Sequence, residues 1–182
     1  KDGQRENLEA DAVVVSAGCW SDKLTRPLGQ PLPIYPVKGY SLTATLTDAD
    51  KAPVSTIHDD QYKVVMTRLG DRLRATGFVE LNDFDRSIPQ ARLETIKKAV
   101  RSRFPGCTAI DSAESWTGFR PVTPDGPAII GRGNRENLYL NTGHGVFGWT
   151  LAAGSADVIA SVIDNQEPAV CLDAFRPERF SE

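Results

Sequence analysis

Hydrophobic positions recur along this chain in three different patterns, and each predicts a different element. Ala12-Val13-Val14-Val15-Ser16-Ala17 is a continuous, largely β-branched apolar run stopped by Gly18. Such a run predicts a strand buried on both faces of a parallel sheet, whose other strands this chain does not obviously supply. Alternation marks residues 40–46, 62–69 and 72–81, with Gly70-Asp71 between the last two as a hairpin turn, and predicts an antiparallel sheet. Leu93, Ile96, Val100 and Phe104 recur at spacings of three and four before Pro105-Gly106. That spacing predicts an amphipathic helix over residues 89–104, covering one face of the sheet. Strand-like segments return at residues 115–120, 128–130 and 138–141, and a last helix is expected over residues 149–163.

Turn and breaker residues divide these elements. Lys1-Asp2-Gly3 reads as a turn, and residues 21–28 as a short helix. Pro27, Pro31, Pro33 and Pro36 mark a linker that crosses into a different structural unit near residues 30–36. The opening strand therefore looks like the middle of a domain.

Composition narrows the partners. A chain of 182 residues, 40% hydrophobic and 25% charged, has the balance of an ordinary soluble protein. Its formal net charge of -3, with Lys and Arg scattered among Asp and Glu, leaves no basic stripe and argues against nucleic acid. The longest apolar runs are too short to span a bilayer, and no charged-then-apolar leader opens the sequence. Cys19, Cys107 and Cys171 are odd in number and lack Cys-x-x-Cys pairing, so neither disulfides nor zinc are expected and a reducing cytoplasm fits. His58-Asp59-Asp60 reads as a loop, not as a metal site.

Gly143-His144-Gly145-Val146-Phe147-Gly148 is a literal G-x-G-x-x-G between a strand and a helix. A dinucleotide fingerprint also needs a second parallel strand carrying an acidic residue, and Asp164 sits instead in a polar turn. The glycines let backbone approach a ligand, and the helix N-terminus directs free N–H groups at an anion. The alternative is a tight turn whose glycines serve sterics alone.

Three segments together carry a resemblance: Ala12-Val13-Val14-Val15-Ser16-Ala17-Gly18-Cys19-Trp20-Ser21, Trp116-Thr117-Gly118-Phe119-Arg120-Pro121-Val122-Thr123-Pro124-Asp125-Gly126, and Leu140-Asn141-Thr142-Gly143-His144-Gly145-Val146-Phe147-Gly148-Trp149-Thr150. They resemble the D-amino acid oxidase superfamily of flavoproteins. Tyr35-Pro36-Val37-Lys38-Gly39-Tyr40-Ser41-Leu42 and Pro53-Val54-Ser55-Thr56-Ile57 resemble, within it, the bacterial D-amino acid dehydrogenases of the small-subunit type. The likeness implies a fold of mixed α/β and α+β class. Residues 1–32 and 116–182 would be parts of a doubly wound FAD-binding domain, and residues 33–115 an antiparallel-sheet substrate domain with a covering helix. Members of the family carry an N-terminal pyrophosphate-binding G-x-G-x-x-G that this sequence does not show, so the chain is expected to be the C-terminal part of a longer protein.

By the same resemblance, Ala17, Gly18 and Trp20 follow a strand whose end contacts the dinucleotide. Gly118 and the run Gly143, His144, Gly145, Val146, Phe147, Gly148, Trp149 and Thr150 border the flavin ring, and Lys38-Gly39 either lies near its edge or presents a solvated lysine. Arg120 would grip an amino-acid carboxylate with two parallel hydrogen bonds. Tyr62 is either a substrate hydrogen-bond partner or a half-buried strand tyrosine, and His144 either a backbone contributor or a general base. The implied reaction is oxidation of a D-amino acid by hydride transfer from Cα to flavin N5, then hydrolysis of the imine to a 2-oxo acid and ammonia. A respiratory quinone is the implied acceptor, which would place the protein peripherally on the cytoplasmic face of the inner membrane. Two other readings stand beside this one: a folded module that binds no FAD alone, and oxidation of glycine or sarcosine on the same fold.

Overall fold

The computed structural model describes residues 6–180; the turn expected at residues 1–3 lies outside them. In chain order the elements are strand β1 (Val13–Val15), helix α1 (Ser21–Thr25), and strands β2 (Tyr35–Thr45), β3 (Ile57–Asp59), β4 (Val64–Leu69) and β5 (Arg72–Leu81). Helix α2 (Gln90–Arg103), strands β6 (Glu114–Val122), β7 (Ile129–Arg132) and β8 (Leu138–Thr142), and helix α3 (Gly148–Ile163) complete them. The chain divides into two compact units. One comprises residues up to Tyr35 together with those from Pro121 onward, and the other is Pro36–Arg120.

In the first unit the sheet order is β1-β8-β7, with β1 parallel to β8 and β8 antiparallel to β7. Alternation along the strands separates two cores. Ile129, Leu138 and Leu140 join Val15 and Leu32, whereas Ile130 and Tyr139 join Val158 and Ile159 of α3, as period 2 requires. The chain thus supplies the parallel neighbour that its opening strand lacks in sequence, from near its other end. Among the described residues β1 pairs only with β8, and Val13 and Val14 are 51% and 41% exposed. The chain passes from the first unit to the second between Tyr35 and Pro36, within residues 30–36, and the residues of this crossing are packed. Leu32 is buried in a core cluster, Ile34 packs on it, and Pro36 lies inside β2.

The second unit is a five-stranded sheet of order β3-β4-β5-β2-β6. The pairs β2–β5, β3–β4 and β4–β5 are antiparallel, and Gly70 and Asp71 turn β4 into β5. Its core joins Leu42, Met66, Leu73 and Ala75 of the sheet to Leu93, Ile96 and Val100 of α2, so the helix covers one face as its period demands. Arg101 and Arg103 in the last turn of α2 complement its dipole, and Gly106 at φ +77° turns the chain away. His58-Asp59 is strand β3, not the loop expected. Asp59 is buried there and bonds the guanidinium of Arg103.

Two outcomes follow from this packing. Ile96→Ala empties a fully buried site between helix and sheet and should lower unfolding stability by about 2–5 kcal/mol in urea titrations. Asp59 is held below the usual carboxylate value by Arg103 and by the Tyr62 backbone N–H. Its stabilisation is therefore complete above about pH 4, the unfolded value, and is lost as pH falls through the depressed folded one. Asp59→Asn should remove that part of the acid sensitivity, seen as a flatter dependence of melting temperature on pH below about 4.

Candidate functional site

In the second unit the pairing of β2 with β5 is irregular at one point. Lys38 pairs with Glu80 and Tyr40 with Gly77, so Gly39 faces two residues, Phe78 and Val79. This is a β-bulge, and Phe78 takes the left-handed conformation, φ +72°, in a position where glycine is usual. A non-glycine residue there costs on the order of 1–2 kcal/mol. Its ring is held by edge contact with Tyr40 at 6.0 Å and by the Arg92 guanidinium 4.9 Å from its centroid.

Arg120, near the end of β6, lies on this bulge. Its Nη1 donates to the Phe78 carbonyl at 3.3 Å. The guanidinium sits so close over Gly39 that a methyl added there would come within 2.6 Å of Nη2 and 2.8 Å of Cζ. The Thr117 hydroxyl, three residues earlier in β6, donates to the Gly39 carbonyl at 3.0 Å. Arg120 is half-buried, and burial pulls its guanidinium below the ordinary value. No carboxylate among the described residues lies within ion-pair distance of it. Since arginine stays charged regardless, this is a partly desolvated cation without a counter-ion.

Arg120 and Tyr62 line one cavity of about 590 Å³, together with Val65, Phe78 and Val79. Tyr62 is not on a strand as expected. It lies in the turn before β4, fixed by its backbone N–H donating to Asp59 Oδ1 at 2.8 Å. Neither Val65 nor Val79 stood out in the sequence, because an alternating strand does not say which of its faces meets a cavity. Phe78 was also missed, since nothing in Thr76-Gly77-Phe78-Val79 announces a left-handed residue after the glycine.

Lys38 is fully buried, with Nζ 2.9 Å from Asp85 and 5.3 Å from the Tyr40 ring centroid. Burial would depress the ammonium, but bonds to Asp85 and Tyr40 outweigh it and leave its affinity for protons raised. Asp85 is held low by the Ser87 hydroxyl and by Lys38. The partner acid stands 47 residues away, beyond what local pattern reveals. Gly118 underlies the Trp116 ring: a methyl on it would meet Cζ2 at 2.7 Å.

In the first unit, Ala17 follows β1 and precedes a single tight turn, Gly18–Trp20, with Gly18 at φ +55°. After β8 the chain runs through Gly143 at φ +77° and Gly145 at φ +55° into α3, whose first residue is Gly148. The Gly145 N–H donates to the Pro121 carbonyl at 2.9 Å, which pins the turn. Val146, Phe147 and Trp149 are exposed around the helix start, Trp149 at 97%, and Thr150 is exposed beside them. His144 Nε2 lies 2.9 Å from the Ser155 hydroxyl, and burial lowers its proton affinity, so the ring is neutral near pH 7. It lines, with Phe147, Leu151, Val158 and Phe175, an apolar cavity of about 300 Å³. No group of three His, Cys, Asp or Glu among the described residues is placed to hold a metal ion.

The chain is similar to known proteins over most of its length. The chain is 50% identical over 172 residues to a D-amino acid dehydrogenase of Cereibacter sphaeroides, covering 94% of the chain and 39% of the relative. It is 49% identical over 177 residues to a D-amino acid dehydrogenase of Vibrio cholerae, covering 96% and 42%. The chain thus spans about two fifths of the length of the curated relatives it matches. Among solved structures it is similar to a glycine oxidase of Geobacillus kaustophilus, with TM-score 0.78 and 27% identity over 95% of this chain and 46% of that one. It is likewise similar to an iminodiacetate oxidase of Chelativorans, with TM-score 0.79 and 25% identity over 93% and 47%. A family model described as FAD dependent oxidoreductase matches residues 1–162, and with the fold and the relatives in agreement, the chain belongs to that family of flavin-dependent oxidoreductases.

Proposed function

We propose that the protein carrying this chain oxidises D-amino acids, and that Arg120 holds the substrate carboxylate. One observation carries the reading: a half-buried guanidinium with no carboxylate among the described residues lines a cavity of about 590 Å³ whose other walls include Val65, Phe78 and Val79. A substrate carboxylate supplies the missing anion, and the planar fork of arginine matches it with two parallel hydrogen bonds. The mostly apolar walls suit the substrate's side chain, and the Tyr62 hydroxyl is assigned a hydrogen bond to substrate.

The residues present fit the ring end of FAD. Gly143 and Gly145 hold left-handed backbone, Gly145 has nothing within 4 Å of the place a methyl would take, and exposed Val146, Phe147 and Trp149 surround the start of α3. The first N–H groups of any helix lack an intrahelical acceptor, so those at Gly148, Trp149 and Thr150 suit the partial negative charge of a reduced flavin ring. Ala17, Gly18, Trp20, Gly39, Gly118 and His144 complete the set assigned to the cofactor, and Lys38, wholly buried against Asp85, has no side-chain atom free to join them. His144 is assigned a part through its backbone, since its Nε2 is turned to the Ser155 hydroxyl.

Bound FAD would supply the acceptor for the hydride that leaves the substrate Cα. The chain's own part is orientation: Arg120 fixes the carboxylate so that the Cα hydrogen has one direction to leave, which avoids the need for a side-chain base. Water then hydrolyses the substrate imine to a 2-oxo acid and ammonia. No helix among the described residues is long and apolar enough to cross a membrane, and we assign the downstream acceptor to a respiratory quinone met peripherally from the cytoplasmic side.

In the flavin-loaded, full-length protein, Arg120→Ala should raise KM for D-alanine at least about a hundredfold, equivalent to roughly 3 kcal/mol. Arg120→Lys should recover only a small part, because an ammonium cannot reproduce the fork. An unchanged KM in Arg120→Ala removes the assignment. Turnover of glycine or sarcosine in preference to D-alanine would transfer the reading to those amines.

A further inference from the structure

The bulge beneath Arg120 is more than a place for it to rest. The guanidinium lies directly over the Cα of Gly39, where any Cβ would overlap Nη1, Nη2 and Cζ. Its one protein hydrogen bond among the described residues is to the carbonyl of Phe78, the residue that β5 holds at φ +72°. That conformation arises because β5 spends two residues, Phe78 and Val79, opposite the single Gly39, and an extra residue re-aims the groups beside it. Thr117 in turn ties the Gly39 carbonyl to β6, the strand that carries Arg120. A floor without a side chain and a re-aimed carbonyl therefore both act on one guanidinium, which retains donors for an outside anion.

We infer that Gly39 and Phe78 are positioning residues that fix Arg120 for carboxylate binding, Gly39 by leaving room for the guanidinium and Phe78 by turning its carbonyl toward Nη1. The inference rests on the carboxylate reading of Arg120. Neither residue touches the substrate in this role. Gly39 is not in a left-handed conformation, so an alanine there is compatible with the backbone. The atoms it would strike are the far end of a flexible side chain, which yields more readily than backbone. Gly39→Ala should therefore fold normally and displace the guanidinium by about 1 Å, the difference between the present approach and ordinary contact distance. A misplacement of that size is enough to weaken a catalytic arrangement by up to about a hundredfold.

Phe78 separates backbone from side chain. Phe78→Gly and Phe78→Val both remove the ring from Tyr40 and Arg92, but glycine adopts φ +72° freely and a β-branched residue resists it. The test measures butyrate, a carboxylate without an amine, by its dissociation constant in calorimetry, and D-alanine by KM. Both are taken on the flavin-loaded, full-length protein, with flavin content and melting temperature recorded for each variant. The expected result is butyrate binding weakened at least about tenfold in Gly39→Ala, with KM raised in parallel, and weakened several-fold more in Phe78→Val than in Phe78→Gly, since both variants lose the ring and only valine resists the left-handed backbone. Smaller losses in Gly39→Ala, or equal losses in the two Phe78 variants, overturn the inference. If Gly39→Ala fails to hold flavin or melts early, the Phe78 pair decides. Arg120→Ala is measured alongside: if it leaves butyrate binding intact, the carboxylate reading itself has failed. If it abolishes binding while Gly39→Ala does not weaken it, only the positioning role is lost.

Discussion

A guanidinium partly removed from water needs either a carboxylate or enough oxygen lone pairs to replace its hydration. Arg120 has a single recorded protein acceptor, the Phe78 carbonyl, and the sheet around it is shaped by that arrangement. The β2–β5 ladder slips by one residue at Gly39, Phe78 accepts a left-handed backbone, and Thr117 fastens the floor. Nearby charges are treated differently. Lys38, wholly buried in the same strand, is matched by Asp85, and Arg103 is matched by Asp59. Half-buried Arg68 and Arg74 share with Arg120 the lack of an ion pair among the described residues, and what singles Arg120 out is its place over Gly39 on the cavity it shares with Tyr62.

Strain at Phe78 is held by packing from the other side of the sheet. Its ring meets Tyr40, whose hydroxyl donates to Glu80 at 3.0 Å, and Arg92 of α2, which also pairs with Glu80. The covering helix thus contributes to the site as well as to the core, through one aromatic ring. Strained backbone persists where its surroundings over-determine it, and such positions gather at functional sites.

Much of the fold was legible because its long elements follow a single period. The spacing of Leu93, Ile96 and Val100 gave α2 within a residue at either end, and alternation gave β5 in full. What was not legible depended on distant partners. Tyr62 read as a strand residue because the bond from its N–H to Asp59 that makes the turn is invisible in hydropathy. Arg120 stands out in the sequence only through the residues around it, Gly118 and Pro121, whereas its lack of an ion pair among the described residues depends on how distant strands are placed.

The edge position of β1 bears on how the chain behaves at high concentration. An open strand presents unpaired amides and carbonyls along its length, and proteins usually guard such an edge with lysine, proline or a bulge. Here the side chains at the edge are Val13 and Val14, both substantially exposed. Two copies meeting along β1 would find matching hydrogen-bond partners and an apolar surface to share. Among the described residues, whatever strand paired with that edge would satisfy its amides and carbonyls and bring cover to Val13 and Val14 in one step.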